Sequence, residues 1–255
     1  MPKPLSGRWG WPKLALERRS FGRCRSILNL IVAGSLFPAY LKPVSRFFRA
    51  RRNRRLVALI DDLSSVKGAP LDVLDIGGSA IFWLSIPQAA RAKCRISLIN
   101  LPGSYDAVPP EEAQLHGALT LLTGDARDLS RFADHAFDLV VCNSVIEHLG
   151  SWADMEEAAG HARRVGRRGW VQVPAFEFPI EQHFFLPFVH WFADPIQIWV
   201  LSRLHGTFKK WSLHDRHMFV FHVRPLTRRE LGSLFPDALT RSEWYLLPKS
   251  HIAAW

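Results

Sequence analysis

The sequence has few cysteines and no framework for using them. Its three thiols, Cys24, Cys94 and Cys142, are spread along 255 residues, with no CxxC pair and no histidine at zinc-ligand spacing. That excludes a disulfide scaffold and points to a reducing compartment. Acidic residues are almost missing from positions 1–55, where Glu17 stands alone against fourteen Lys and Arg, a charge of +13. Positions 56–255 hold nineteen basic and twenty-two acidic residues, a charge of −3. The formal +10 of the chain therefore belongs to an N-terminal arm, and the body is no basic nucleic-acid-binding domain. Also missing is an apolar run long enough to cross a bilayer, which takes about 20 residues. The run at 27–41 has fifteen positions and contains Asn29, Ser35 and Pro38. There is no internal repeat, no low-complexity tract, and no glycine loop ending in Gly-Lys-Ser/Thr that would clamp phosphates.

What is present in the arm is a twin arginine, Arg18-Arg19, before the apolar run, and Arg46, Arg49, Arg51, Arg52, Arg54 and Arg55 after it. A twin arginine before apolar residues opens some bacterial export signals. No small-x-small cleavage site follows Leu41, however, and Pro38 interrupts the run, so a cytoplasmic protein is expected. Two compatible uses of the arm stay open. Apolar residues between arginine clusters suit an anionic membrane surface, which would place the protein peripherally at the inner membrane face. The same residues also suit a helical cap packed on the body.

The body is rich in core formers: the chain is 48% hydrophobic, with ten Trp and seventeen Phe. From position 71 short apolar runs alternate with helical stretches, the pattern of a parallel sheet covered on both faces. Strands are expected at 71–76, 95–101, 119–123, 137–142 and 169–173, and helices at 83–93 and 152–165. Residues 175–215 break the rhythm with an aromatic series from Phe176 to Trp199 mixed with prolines, and are expected to form an inserted helical lid. A strand at 218–223, a helix at 227–235 opened by a Thr227–Glu230 capping box, and a last strand at 239–247 complete the reading. The expected fold is α/β: a doubly wound, mostly parallel, seven-stranded sheet, with a helical insertion and a basic N-terminal arm. Such sheets bind ligands beyond the carboxyl ends of their strands, here at Gly77, Asn100, Asp125, Asn143 and Pro174.

The run Val73-Leu74-Asp75-Ile76-Gly77-Gly78-Ser79 puts an acid at the end of the first strand and two glycines in the turn after it. Glycine permits unusual dihedrals and a close backbone approach to a ligand. Asp125-Ala126 follows the third strand, and the fourth runs into Asn143-Ser144-Val145-Ile146-Glu147-His148. Together with Ile96–Leu101, Arg163-Arg164-Val165-Gly166, Trp170–Pro174 and Phe178–Phe184, these motifs resemble the class I S-adenosylmethionine-dependent methyltransferases, in particular one bacterial branch. The resemblance covers roughly residues 70–250 and leaves out the arm.

The resemblance implies S-adenosyl-L-methionine as cofactor. It implies that Asp75, Gly77, Gly78 and Ser79 line its methionine portion, that Asn100 faces the ribose, that Asp125 and Ala126 hold the adenine, and that Asn143 or Ser144 faces the sulfonium. The chain departs from the pattern in places. Asn100 stands where many relatives carry an acid, Ser79 and Ile81 where many carry glycine, and Ala175 where the branch carries a polar residue. The implied activity is methyl transfer to an O, N or C atom of a small or lipid-linked acceptor. Two alternatives are an RNA or protein methyltransferase docked by the arm, against which the neutral body counts, and a binding protein of the same fold without catalysis. If the acceptor must lose a proton, His183 with Glu181 is the expected base. Glu147-His148 is the other pair, and is read first as a structural helix start. His205, His214, His217 and His222 fit no zinc spacing, and no metal is expected.

Overall fold

A computed structural model describes residues 42–104, 119–181, 183, 186–206 and 208–255, with side chains from Arg49 onward. Residues 1–41, with Cys24 and the apolar run of the arm, lie outside the described residues, as do Gln182, Phe184 and Phe185.

The chain enters on a long helix, α1 (Lys42–Lys67), that runs unbroken through the expected boundary at residue 55. Strand β1 (Leu71–Ile76) leads through the glycine turn to two short helices, α2 (Ala80–Leu84) and α3 (Gln88–Arg91). Then come β2 (Cys94–Asn100), β3 (Thr120–Thr123), β4 (Phe137–Asn143), α4 (Trp152–Val165) and β5 (Gly166–Pro174). The remainder is α5 (Asp194–Leu204), α6 (Leu213–Phe221), α7 (Arg228–Leu234), β6 (Leu239–Trp244) and β7 (Pro248–Ala254).

The seven strands form one sheet in the order β3-β2-β1-β4-β5-β7-β6. Strands β1 to β5 are parallel, and β7 runs antiparallel between β5 and β6. Because β1 lies between β2 and β4, the chain winds outward from it in both directions, and the crevice at the switch lies beyond the carboxyl ends of these strands. Val73, Leu98, Leu139, Val141, Trp170 and Ile252 line one face of the sheet, under Leu56 and Ile60 of α1 and Trp83 of α2. Side chains alternate between faces along a strand. The face that is apolar through mid-strand therefore ends in polar groups: Asp75, Asn100, Asn143 and Gln172. Helix α4 covers the other face over β4 and β5 with Met155, Ala158, Ala159 and Ala162.

Three expectations change. The helix at 83–93 is two short helices, because Pro87 has no N–H to continue the ladder and restricts Ile86 before it. The strand at 218–223 is the end of α6, capped at Ser212, whose hydroxyl accepts from Asp215 N. Its short apolar run cannot be told from a strand by periodicity, and Phe219 and Val220 are its buried contribution. The last strand is β7, beyond the hairpin at 245–247; counting seven strands was right, but one of the seven was misplaced. The capping box at Thr227 and Glu230 is present as expected.

Candidate functional site

The turn after β1 is shaped by what its glycines allow. Gly77 has φ +68, and a Cβ there would lie 2.5 Å from Val145 Cγ2. Its amide donates to the Ile99 carbonyl at 2.8 Å, which fastens the turn to β2. A Cβ on Gly78 would sit 1.8 Å from Asp75 Oδ2, so the Asp75 carboxyl lies directly beneath the turn and no side chain fits above it. Asp75 is fully buried and accepts from Trp83 Nε1 at 2.8 Å through Oδ2, while Oδ1 has no hydrogen-bond partner. Burial pushes this carboxyl up to about 7, against the pull of the Trp83 indole. Ser79 caps α2, its hydroxyl accepting from Phe82 N at 3.4 Å.

On the β2–β3 side, Asn100 Nδ2 donates to the Gly78 carbonyl at 2.8 Å, so the ribose-side residue also braces the glycine turn. Asp125 stands just past β3. Its carboxylate is gripped by Arg127, through the amide and Nε to Oδ1 at 2.9 and 3.1 Å and through Nη2 to Oδ2 at 2.7 Å, and Arg127 Nη1 reaches on to Asp154. Half-buried Ala126 lies between these two residues.

Beyond β4 the chain gathers acids and histidines. Asn143 Oδ1 is buried without a partner. Ser144 adopts φ +57; its amide donates to the Gln172 carbonyl at 2.9 Å and its hydroxyl to Gln172 Oε1 at 3.4 Å. Glu147 is fully buried, and both its oxygens lack a geometrically sound hydrogen bond. Burial pushes its carboxyl up to about 8, opposed by its own amide, His183 and Ser144. His148 Nδ1 donates to the His222 carbonyl at 3.0 Å, and burial together with the neighbouring His183 pushes its ring down to about 3.

From the inserted segment, Glu181 and His183 come to this same place. Glu181 accepts from His183 N and from His183 Nδ1, each at 2.6 Å, and the His183 and His148 rings meet edge to face at 4.7 Å. Burial opposes charge on His183, but Glu181 and then Glu147 outweigh it and hold the imidazole above its usual value. The structure thus joins the two pairs that the sequence kept apart. No arrangement of three or more His, Cys, Asp or Glu able to hold a metal exists among the described residues.

The residues around β1 fit a nucleoside-methionine cofactor. The turn leaves a side-chain-free cradle over Asp75, and the orphaned oxygens of Asp75 and Asn143 are acceptors for a ligand's donors. Sequence reasoning missed Trp83 as the partner of Asp75, and it counted Arg52 with the arm and Gln172 with a strand motif without bringing either to the site. Gln172 did leave a signal, as the one polar residue between Trp170 and Val173 in a buried strand.

A family model described as a methyltransferase domain matches residues 74–171. Among solved structures, the magnesium protoporphyrin IX methyltransferase of Synechocystis PCC 6803 is similar with a TM-score of 0.51 and 16% identity, covering 92% of this chain and 93% of its own. An N-methyltransferase of Bradyrhizobium japonicum WM9 gives 0.49 and 14%, covering 92% and 96%. An O-methyltransferase family protein of Burkholderia thailandensis gives 0.48 and 15%, covering 93% and 69%. At such identities the likeness is one of fold. No curated protein matches the chain.

Proposed function

We infer the reaction from one premise: this chain belongs to the class I S-adenosylmethionine-dependent methyltransferases. Bound S-adenosyl-L-methionine supplies a methyl carbon already activated by its sulfonium. Asp75, Gly77, Gly78 and Asn100 hold and orient the cofactor, Asp125 and Ala126 face its adenine, and Asn143 and Ser144 face the reacting end. Displacement at an activated carbon needs alignment and exclusion of water more than acid–base help. The chain nevertheless keeps a Glu181–His183 pair, 2.6 Å apart and largely out of water, at the end of β4. That pair is the observation that carries the proposal: His183 takes a proton from the acceptor through Nε2, while Glu181 fixes its tautomer through Nδ1.

The acceptor is a small or lipid-linked molecule, methylated on a group that loses a proton. RNA is disfavoured by the body's charge of −3. Incubating bacterial extract with the protein and methyl-labelled cofactor should put label into the small-molecule or lipid fraction. Label confined to RNA or protein contradicts this reading.

No described helix is long and apolar enough to cross a membrane. The apolar run and the charge of +6 within residues 1–41 support peripheral attachment of a cytoplasmic protein to an anionic lipid surface. Co-sedimentation with phosphatidylglycerol vesicles should fall sharply on deletion of residues 1–41, a cut that spares α1; equal partitioning of both proteins contradicts the attachment.

A further inference from the structure

The stripe that α1 turns toward the sheet changes character along its length. Leu56 and Ile60 are buried in the core. One and two turns back, where the helix clears the carboxyl ends of the strands, the same side carries Arg52 and Arg49, since residues three and four apart share a face. Arg52 is drawn in over β5: its Nη1 donates to Gln172 Oε1 at 2.7 Å, the same oxygen that the Ser144 hydroxyl approaches at 3.4 Å. Gln172 is 1% exposed, so Arg52 is one shared atom away from the expected reacting end of the cofactor site. Its Nε is buried with no hydrogen-bond partner.

A second cation, on β7, is coupled to it through its charge. Lys249 is at the start of β7, where its carbonyl accepts from Ala175 N at 3.1 Å. Burial lowers the proton affinity of both cations, and neighbouring arginines lower it further: Arg49 acts on Arg52, and Arg52 and Arg49 act on Lys249. Glu243 is the compensating charge felt by both, and its carboxylate also accepts from the Ser250 hydroxyl. A guanidinium drawn out of water is stabilised by an oxyanion, and its edge suits a carboxylate or phosphate.

We propose that Arg52, supported by Arg49 and Lys249, forms a subsite for a carboxylate or phosphate group carried by the methyl acceptor. The assignment to the acceptor rests on the methyltransferase reading above. It is favoured over the cofactor's own carboxylate because Arg52 lies over β5, whereas the glycine turn follows β1, two strands away across β4 and about 10 Å distant. The acceptor is therefore an acid or a phosphorylated molecule, held by its charged end while its reacting atom points toward Ser144 and His183.

The test is calorimetric, on the full chain, with benzoate and inorganic phosphate as probes, each titrated with and without saturating S-adenosylhomocysteine. At least one probe should bind wild-type protein. Arg52→Gln and Lys249→Met should each weaken that binding roughly tenfold or more, as loss of a charged hydrogen bond does. Arg54→Gln, on the exposed side of α1, should leave it unchanged and so report any non-specific attraction to the basic arm. Affinity for S-adenosylhomocysteine should stay within twofold in Arg52→Gln. Anion binding that is absent, or equal in Arg52→Gln and wild type, overturns the subsite; a tenfold loss of S-adenosylhomocysteine affinity in Arg52→Gln assigns the residue to the cofactor and overturns the acceptor assignment. Failure of wild type to bind S-adenosylhomocysteine sinks the methyltransferase reading instead, while the titrations without it still decide the subsite.

Discussion

Asp75, Gly78, Glu147 and His183 each do something at this site that their neighbours cannot replace. Glu147 is an acid kept mostly neutral by burial, with a folded value of about 8 against an ordinary 4.5. The sign follows from linkage: the folded state binds this proton more tightly, so its contribution to stability is complete below the ordinary value and is lost as pH rises toward 8. Glu147→Gln should therefore melt several degrees above wild type at pH 8.5 and together with it at pH 5, as thermal denaturation would show. His183, held above its usual value by Glu181, acts as a base only when deprotonated. Once the acceptor is in hand, kcat/KM should rise with pH through a midpoint above 6.5. Glu181→Gln should move that midpoint toward acid, and His183→Ala should abolish it with a loss of about 10²–10⁴ in kcat. An unchanged profile in both variants contradicts the assignment. The Asp75 and Gly77-Gly78 turn was legible because strand, acid and glycines are contiguous. The meeting of Glu147 and His148 with Glu181 and His183 was not, since it depends on how the insert folds back over β4.

At the scale of elements, α1 is held by its apolar stripe as well as by Arg52 and by Asn53, which donates to Ser85 Oγ at 2.8 Å. Leu56 is 1% exposed under this helix, and Leu56→Ala should cost about 2–5 kcal/mol in urea unfolding. Thr227→Ala should cost about 1 kcal/mol, because it removes one half of a capping box at the start of α7. That cap was readable because Thr-x-x-Glu is local chemistry. Helix α6 was not, because Met218 to Val223 has the apolar content of a buried strand. What makes it a helix is the Ser212 cap and its packing on Phe208, both set outside the run. Likewise β7 begins at Pro248, a residue that argues against a strand until its place at the strand's first position is known.

For the whole molecule, the central pattern is a sheet whose middle is apolar and whose carboxyl edge is polar on one face. Five parallel strands followed from the alternation of runs and turns. The reversed β7 between β5 and β6 did not, because strand order is set by long-range pairing that no local signal encodes. The separation of charge between arm and body was visible from the start, but its use within the body was not: Arg49 and Arg52, counted with the arm, belong to a helix whose core residues are the body's own. Methyl transfer by this chain requires that the polar edge bind the cofactor. Calorimetric titration of S-adenosylhomocysteine into the full chain should show a single saturable site, retained in His183→Ala and lost in Asp75→Ala with the fold intact by circular dichroism. No binding by folded wild-type protein, or equal binding by Asp75→Ala, would contradict it.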